Sequence, residues 1–265
     1  MDTPEYEVLA LRYARATERR VHENFIRRDM HDGPMPLDFF VWIIRNAERT
    51  VLVDTGFGAR AAAERGRPLD IDPVEALARI GIAAESVEQI ILTHLHYDHA
   101  GNIDRFPKAT LHVQDAEVAY ATGRCMCHRV MRFPFDVEDV VAFVRSTYAG
   151  RACFHDGDAE LFPGISLHLL PGHSKGLQAV RVNTARGPIL LASDVSHYYA
   201  NYRDDMPFAL TIDVGQSLDS YRRMRTLVAG DSHIIPGHDP LVNELYPRET
   251  VNGIELVQLH LPPKH

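Results

Sequence analysis

Thr93-His94-Leu95-His96-Tyr97-Asp98-His99-Ala100-Gly101-Asn102 gathers three imidazoles and a carboxylate directly after the aliphatic run Gln89-Ile90-Ile91-Leu92. The aliphatic run reads as a short strand. The stretch from His94 is expected to leave the strand as a loop that curls around a metal. Asp98 and His99 would follow from the start of the next helix. The bland alternative for this motif is a solvated histidine cluster on a surface loop.

Outward from this stretch the same pattern recurs. VLVD ends at Asp54, QIILTH at His94, SLHLLPGH at His173, PILLASD at Asp194 and HIIPGH at His238. Each is a β-branched or aliphatic run closed by a polar residue able to hold a metal or orient a metal ligand. His173 and His238 both follow Pro-Gly, a turn signal. Sites on α/β sheets lie beyond the carboxyl ends of strands, so five such ends predict one shared site. The donors are imidazoles and carboxylates without a thiolate, which suits zinc and also iron, manganese or cobalt.

The remaining pattern sets the architecture. YEVLALRYA, FFVWIIR and TVLVDTG read as strands, the last two joined as a hairpin through Asn46-Ala47-Glu48-Arg49. Asp72-Pro73 opens a helix over VEALARIGI, with proline in the first turn. DAEVAYATG and VEDVVAFVRSTYAG read as helices ending near glycine, and a further helix is expected at 216–229. Helices fall between groups of strands. This favours an α/β chain of two sheets covered by helices, forming one domain over 1–265 with a helical insert around 115–150 near the pocket.

Composition narrows the classes. The chain has 265 residues, is 45% hydrophobic and 24% charged, and balances 28 Lys+Arg against 36 Asp+Glu for a net charge of -8. That is ordinary globular composition, and its sign argues against a nucleic-acid backbone binder. The N-terminal residues have acids before a short apolar run, unlike a secretory signal, and no apolar run reaches bilayer-spanning length. The three cysteines, Cys125, Cys127 and Cys153, fit a reducing cytoplasm better than a disulfide framework. No GxSxG elbow is present.

The segments THLHYDHAGN, LPGHSKG, LLASD and IIPGHDP resemble, in order, the motifs of the metallo-β-lactamase superfamily. Gaps of 74, 21 and 44 residues separate His99, His173, Asp194 and His238 and resemble the N-acyl-homoserine lactonase branch. The resemblance runs from about Val51 to Pro240 and implies an αββα sandwich of two mixed sheets. It implies two divalent metal ions, zinc foremost: His94, His96 and His173 on one, Asp98, His99 and His238 on the other, and Asp194 between them. Asp54 matches the aspartate that orients a ligand imidazole, although a strand-end Asp can also simply cap local backbone.

The implied reaction is attack of a metal-bridging hydroxide on a lactone carbonyl, with Asp98 carrying a proton to the leaving oxygen. Related enzymes also leave open a cyclic amide or a thioester, as in glyoxalase II, and an iron-dependent sulfur dioxygenase. A β-lactamase would place Cys at position 194. Homoserine lactonases usually carry tyrosine three residues after the bridging aspartate. Here that place is His197, followed by Tyr198 and Tyr199, so either His197 or Tyr198 could assist the carbonyl oxygen. The expected partner is a small-molecule substrate, with no nucleic acid or membrane; a homodimer is a family expectation.

Two further stretches invite a functional reading. Arg124-Cys125-Met126-Cys127-His128 has metal-like spacing but no second pair to complete a tetrahedral set, so it is read as part of the insert. Met126, Met131, Phe133, Phe135 and Tyr148 could wall a substrate channel or simply pack the core. The charged loop with His22, Arg27, Arg28 and His31 is read as solvated, with a place facing the site as the alternative.

Overall fold

The computed structural model describes residues 3–27 and 31–264. Its strands are β1 (Glu7–Ala16), β2 (Leu37–Arg45), β3 (Thr50–Val53), β4 (Gln89–Ile91), β5 (Thr110–Gln114), β6 (Ala152–His155), β7 (Ala159–Phe162), β8 (Ile165–Leu169), β9 (Gln178–Val182), β10 (Ile189–Ser193), β11 (Ile234–Pro236), β12 (Arg248–Val251) and β13 (Ile254–Gln258). They form two mixed sheets, ordered β12-β13-β1-β2-β3-β4-β5-β6 and β11-β10-β9-β8-β7. Helices α1 (Ala59–Arg65), α2 (Pro73–Arg79), α3 (Tyr97–Ala100), α4 (Asp115–Ala121), α5 (Arg129–Arg132) and α6 (Val137–Tyr148) precede the second sheet, while α7 (Tyr199–Arg203), α8 (Val214–Thr226) and α9 (Leu241–Leu245) are distributed through and after it.

Strand alternation explains the layering. On β1, Val8 and Ala10 join the core between the sheets, while Leu9 and Leu11 join the core on the other face. Because both faces are covered, β1 and β2 read as continuous apolar runs rather than as alternating ones. The first core is closed by Leu77 of α2 and Phe143 of α6, the second by Tyr202, Tyr221, Met224 and Val242 of α7 to α9.

Several local expectations hold. The Asn46 side chain accepts from the backbone of Glu48 and Arg49 and fixes the β2–β3 hairpin. The Asp72 carboxylate accepts from Val74 and Glu75 N–H and starts α2, with Pro73 in its first turn. The helix expected at 216–229 begins slightly earlier, at Val214, because Asp213 caps it through Gln216 N–H.

Strand direction places the site. β3, β4 and β5 are parallel, so Asp54 and His94 emerge at one edge. β10 and β11 are parallel and β9 runs antiparallel to both β8 and β10. The carboxyl ends of β8, β10 and β11 therefore share an edge, and from it come His173, Asp194 and His238. No helix among the described residues is long and apolar enough to cross a membrane.

Candidate metal centre

Asp194 is the hub. Its Oδ2 lies 3.6 Å from His94 Nε2 and 3.2 Å from His173 Nε2, and His173 Nε2 is 3.1 Å from His96 Nδ1. Its Oδ1 lies 3.4 Å from His99 Nε2 and 2.9 Å from His238 Nε2, each of which is 3.8 Å from Asp98 Oδ2. The structure thus brings together all seven residues as two adjoining nests, one on each oxygen of a single carboxylate. Asp98 is the most open, its side chain 12% exposed; the six others are buried.

The backbone aims these groups. His96 leads into α3, whose single turn carries Asp98 and His99. Ser193 takes positive φ, turning the chain just before Asp194. Gly237 passes so close that an added Cβ would sit 2.8 Å from Asp194 Oδ1, leaving room for glycine alone.

A surrounding layer of acceptors fixes the imidazoles. His99 Nδ1 donates to Asp54 Oδ2 at 2.7 Å, and Asp54 also accepts from Thr93 N–H and hydroxyl. His238 Nδ1 donates to the Asp38 carbonyl at 2.7 Å. A carbonyl can only accept, so the His238 proton is on Nδ1 and the Nε2 lone pair faces the centre. Asp54 is therefore more than a local cap. It sits at positive φ directly after β3, a conformation that aspartate tolerates better than most residues.

Electrostatics agree with cation binding. Burial holds His94 and His96 well below the ordinary imidazole pKa, so both are neutral. Burial is the largest single pull on His99 and His238 and lowers both, but the carboxylates around them, Asp194 foremost, together outweigh it and both end above the ordinary value. Burial would raise Asp194, yet the imidazoles of His197, His238 and His99 hold it well below the usual carboxylate range. His94 Nε2, His99 Nε2 and Asp194 Oδ1 are buried without a hydrogen-bond partner. Orphaned buried acceptors of this kind, aimed at one another, fit a pair of divalent cations.

The cavity over the centre has a volume of about 340 Å³ and is lined by His96, Asp98, His173, Asp194, His197 and His238. His197 stacks on Phe208 at 3.6 Å and 9°, with Nε2 3.1 Å from Asp194 Oδ2. Tyr198 does not face this cavity, contrary to one of the two sequence expectations: it is buried, and its hydroxyl donates toward the carbonyls of Pro36 and Met35.

Of the five residues considered for an apolar channel, Phe133 lines this cavity. Phe135 packs its ring against His96 at 4.6 Å, Met126 and Met131 pack against the core, and Tyr148 is 91% exposed. Cys125, Cys127 and His128 join no cluster of candidate metal ligands among the described residues. His22 pairs with Asp32 at 2.9 Å on an exposed turn, and Arg27 and His31 are exposed; none of the three lines the cavity. Arg28 lies outside the described residues.

Sequence reading missed the rim. Arg19, Arg65 and Arg67 line the cavity, and none of them forms an ion pair among the described residues. Arg65 is anchored by the carbonyls of Phe133 and Phe135 and lies over the Tyr97 ring at 3.9 Å. Arg19 donates to Asn24 and to the Glu23 carbonyl and lies over Phe208. Also missed was Glu117, fully buried on α4, which accepts from Leu95 N–H at 3.0 Å, Gly176 N–H at 3.0 Å and the Ser174 hydroxyl at 2.5 Å.

Two helix-flanked mixed sheets that meet at a paired His/Asp nest define a metal-dependent αββα enzyme. The chain belongs to the metallo-beta-lactamase superfamily, whose profile matches residues 38–238. It is 29% identical over 219 residues to N-acyl homoserine lactonase AiiA of Bacillus thuringiensis subsp. kurstaki, covering 77% of this chain and 82% of the relative. A solved quorum-quenching N-acyl homoserine lactone lactonase superposes with a TM-score of 0.71 at 26% identity, covering 91% of this chain and 94% of that one. The dizinc quorum-quenching lactonase AidC shares the fold, with a TM-score of 0.69, 16% identity and coverage of 96% and 94%.

Proposed function

We propose that the protein is a hydrolase with two divalent metal ions that opens a lactone ring. The observation that carries the proposal is the Asp194 carboxylate with a nest of buried donors on each oxygen. His94, His96 and His173 would hold one ion, Asp98, His99 and His238 the other, and Asp194 both. The donor set accepts zinc, iron, manganese or cobalt, and the dizinc neighbour favours zinc. When bound, such a pair supplies Lewis acidity toward a carbonyl and lowers the pKa of water to about 7. The lactonase relatives and the absence of Cys at position 194 favour a lactone over a β-lactam.

The chain's own residues then divide the remaining work. Asp98, the most open carboxylate of the set, is placed to hold a proton and pass it to the departing alkoxide oxygen. His197, which burial brings down to a pKa of about 3, is neutral, and its one N–H, on the Nε2 3.1 Å from Asp194 Oδ2, orients the shared carboxylate at the cavity wall. Phe208 keeps the ring flat against the wall. Three guanidiniums line the cavity beside Glu64, whose carboxylate pairs with Arg60, and none of the three forms an ion pair among the described residues, which favours a lactone that carries a negative charge over a neutral one.

A hydrolysis screen of zinc-loaded protein tests this, using lactones with and without a carboxylate, a thioester and a phosphodiester. Lactone opening is expected, with Asp98→Asn lowering kcat by about 10²-fold or more. Metal content measured on the same sample separates proton transfer from ligation. Equal rates for the two proteins on every active compound would remove Asp98 from the chemistry, and cleavage of the thioester or phosphodiester alone would overturn the lactone reading. In the same screen Arg67→Gln is expected to raise KM for the carboxylate-bearing lactone about tenfold and to leave a neutral one within twofold. Equal effects on both lactones would rule out a charge-reading rim.

A further inference from the structure

At the edge of the eight-stranded sheet, away from the dinuclear centre, β5 and β6 bring a second set of metal-binding side chains together. The parallel register sets His112 opposite Cys153. His155 lies two residues beyond Cys153 and so shares its face of β6. One ligand atom from each of the three lies within 4.8 Å of the others.

The hydrogen bonds fix the state of His112. Its Nε2 is 2.8 Å from Gln89 Oε1 and its Nδ1 is 3.1 Å from His155 Nε2. An amide oxygen can only accept, so Nε2 bears the proton and the Nδ1 lone pair is turned toward His155. A ligand imidazole held by a carbonyl on its far nitrogen is the arrangement found around protein-bound metals. Zinc bonds of about 2.0–2.1 Å to nitrogen and 2.3 Å to sulfur set tetrahedral ligand atoms roughly 3.3–3.6 Å apart; here the two imidazole nitrogens are 3.1 Å apart and no pair of the three exceeds 4.8 Å.

We propose that His112, Cys153 and His155 form a further binding site for a borderline-soft divalent cation such as zinc, separate from the dinuclear centre. His112 is buried while Cys153 and His155 are partly open, so an ion can enter from solvent and keep a fourth position for water. Burial pulls His112 down to about 4 and also lowers His155, so both imidazoles are neutral at neutral pH; His155, whose Nε2–H donates to His112 Nδ1, would carry that proton on Nδ1 when Nε2 binds the ion. Cys153 would give its thiol proton to solvent as the metal–sulfur bond forms. The ion would then tie the edge strand β6 to β5, at the rim where a sheet is most open to unwanted pairing.

Sulfur makes the site visible, because the dinuclear centre contains no thiolate. Metal-free protein reloaded with cobalt(II) alone is expected to bind three ions per chain and to gain a near-ultraviolet sulfur-to-cobalt absorption. Cys153→Ser should lose that band, the double variant Cys125→Ser/Cys127→Ser should keep it, and His155→Gln should weaken cobalt binding at least tenfold. The proposal is overturned if the wild type shows no band in cobalt excess, or if the band survives Cys153→Ser. The wild-type result and the edge-strand variant His155→Gln decide the matter even if Cys153→Ser folds poorly. Hydrolytic activity plays no part in this readout, so failure here leaves the lactone reading untouched.

Discussion

Asp194→Asn protein is expected to emerge from metal loading and dialysis with at least one ion per chain fewer than the wild type, and with hydrolysis reduced about 10³-fold or more. Asparagine preserves shape and volume, so the change isolates charge. The wild-type carboxylate faces His94 and His173 with one oxygen and His99 and His238 with the other. An amide can offer one neutral oxygen to one nest and would turn N–H donors toward the other. The nest facing the amide nitrogen loses its shared ligand, and two ions in one buried pocket lose the negative charge that offsets their repulsion. Metal analysis of dialysed protein, read beside kcat, checks this. An asparagine variant that keeps as many ions as the wild type and works within tenfold of it would show that the nests do not depend on a common carboxylate.

The centre was largely legible in sequence because its donors terminate strands, and strand ends are marked by local chemistry. QIILTH, PILLASD and HIIPGH each announce a β-branched run, a turn and a ligand-type residue within a few positions. The sandwich followed from the grouping of strands and helices, and the covering of both sheet faces accounts for the unbroken apolar runs of β1 and β2. What stayed hidden depends on contacts across the chain. Arg19 sits in the charged stretch around 17–36, whose visible features pointed to His22 and Arg27, yet Arg19 is the one that reaches Phe208 and the cavity. His197 and Tyr198 are adjacent and chemically plausible alike. Only the turn into α7 decides between them, sending the tyrosine hydroxyl to the Met35 and Pro36 carbonyls and leaving the imidazole beside Asp194. The helix DAEVAYATG was readable as a helix, but the partners of Glu117 lie 22, 57 and 59 residues away and no local pattern marks them.

That hidden carboxylate supports the second large effect. Leu95 stands between His94 and His96, and Ser174 directly follows His173, so Glu117 joins the two loops that supply one whole nest. The packing is close: a Cβ on Gly176 would lie 2.1 Å from Glu117 N. In Glu117→Gln the amide keeps one acceptor and turns two donors toward groups that themselves donate, Leu95 N–H on one side or Gly176 N–H on the other. At least one buried N–H is then unpaired, and charge-assisted bonds each contributing about 1.5–3 kcal/mol are weakened. A loss of roughly 2–4 kcal/mol should lower Tm by about 4–7 °C in a chain of this length. Because His94, His96 and His173 are aimed by these loops, affinity for the ion they share should fall about 10- to 100-fold, the range for groups that orient metal ligands. Chelator competition and thermal melting of the apoprotein measure the two effects separately. The role fails if Tm drops while metal affinity stays within twofold, since Glu117 would then stabilise the fold without positioning the nest.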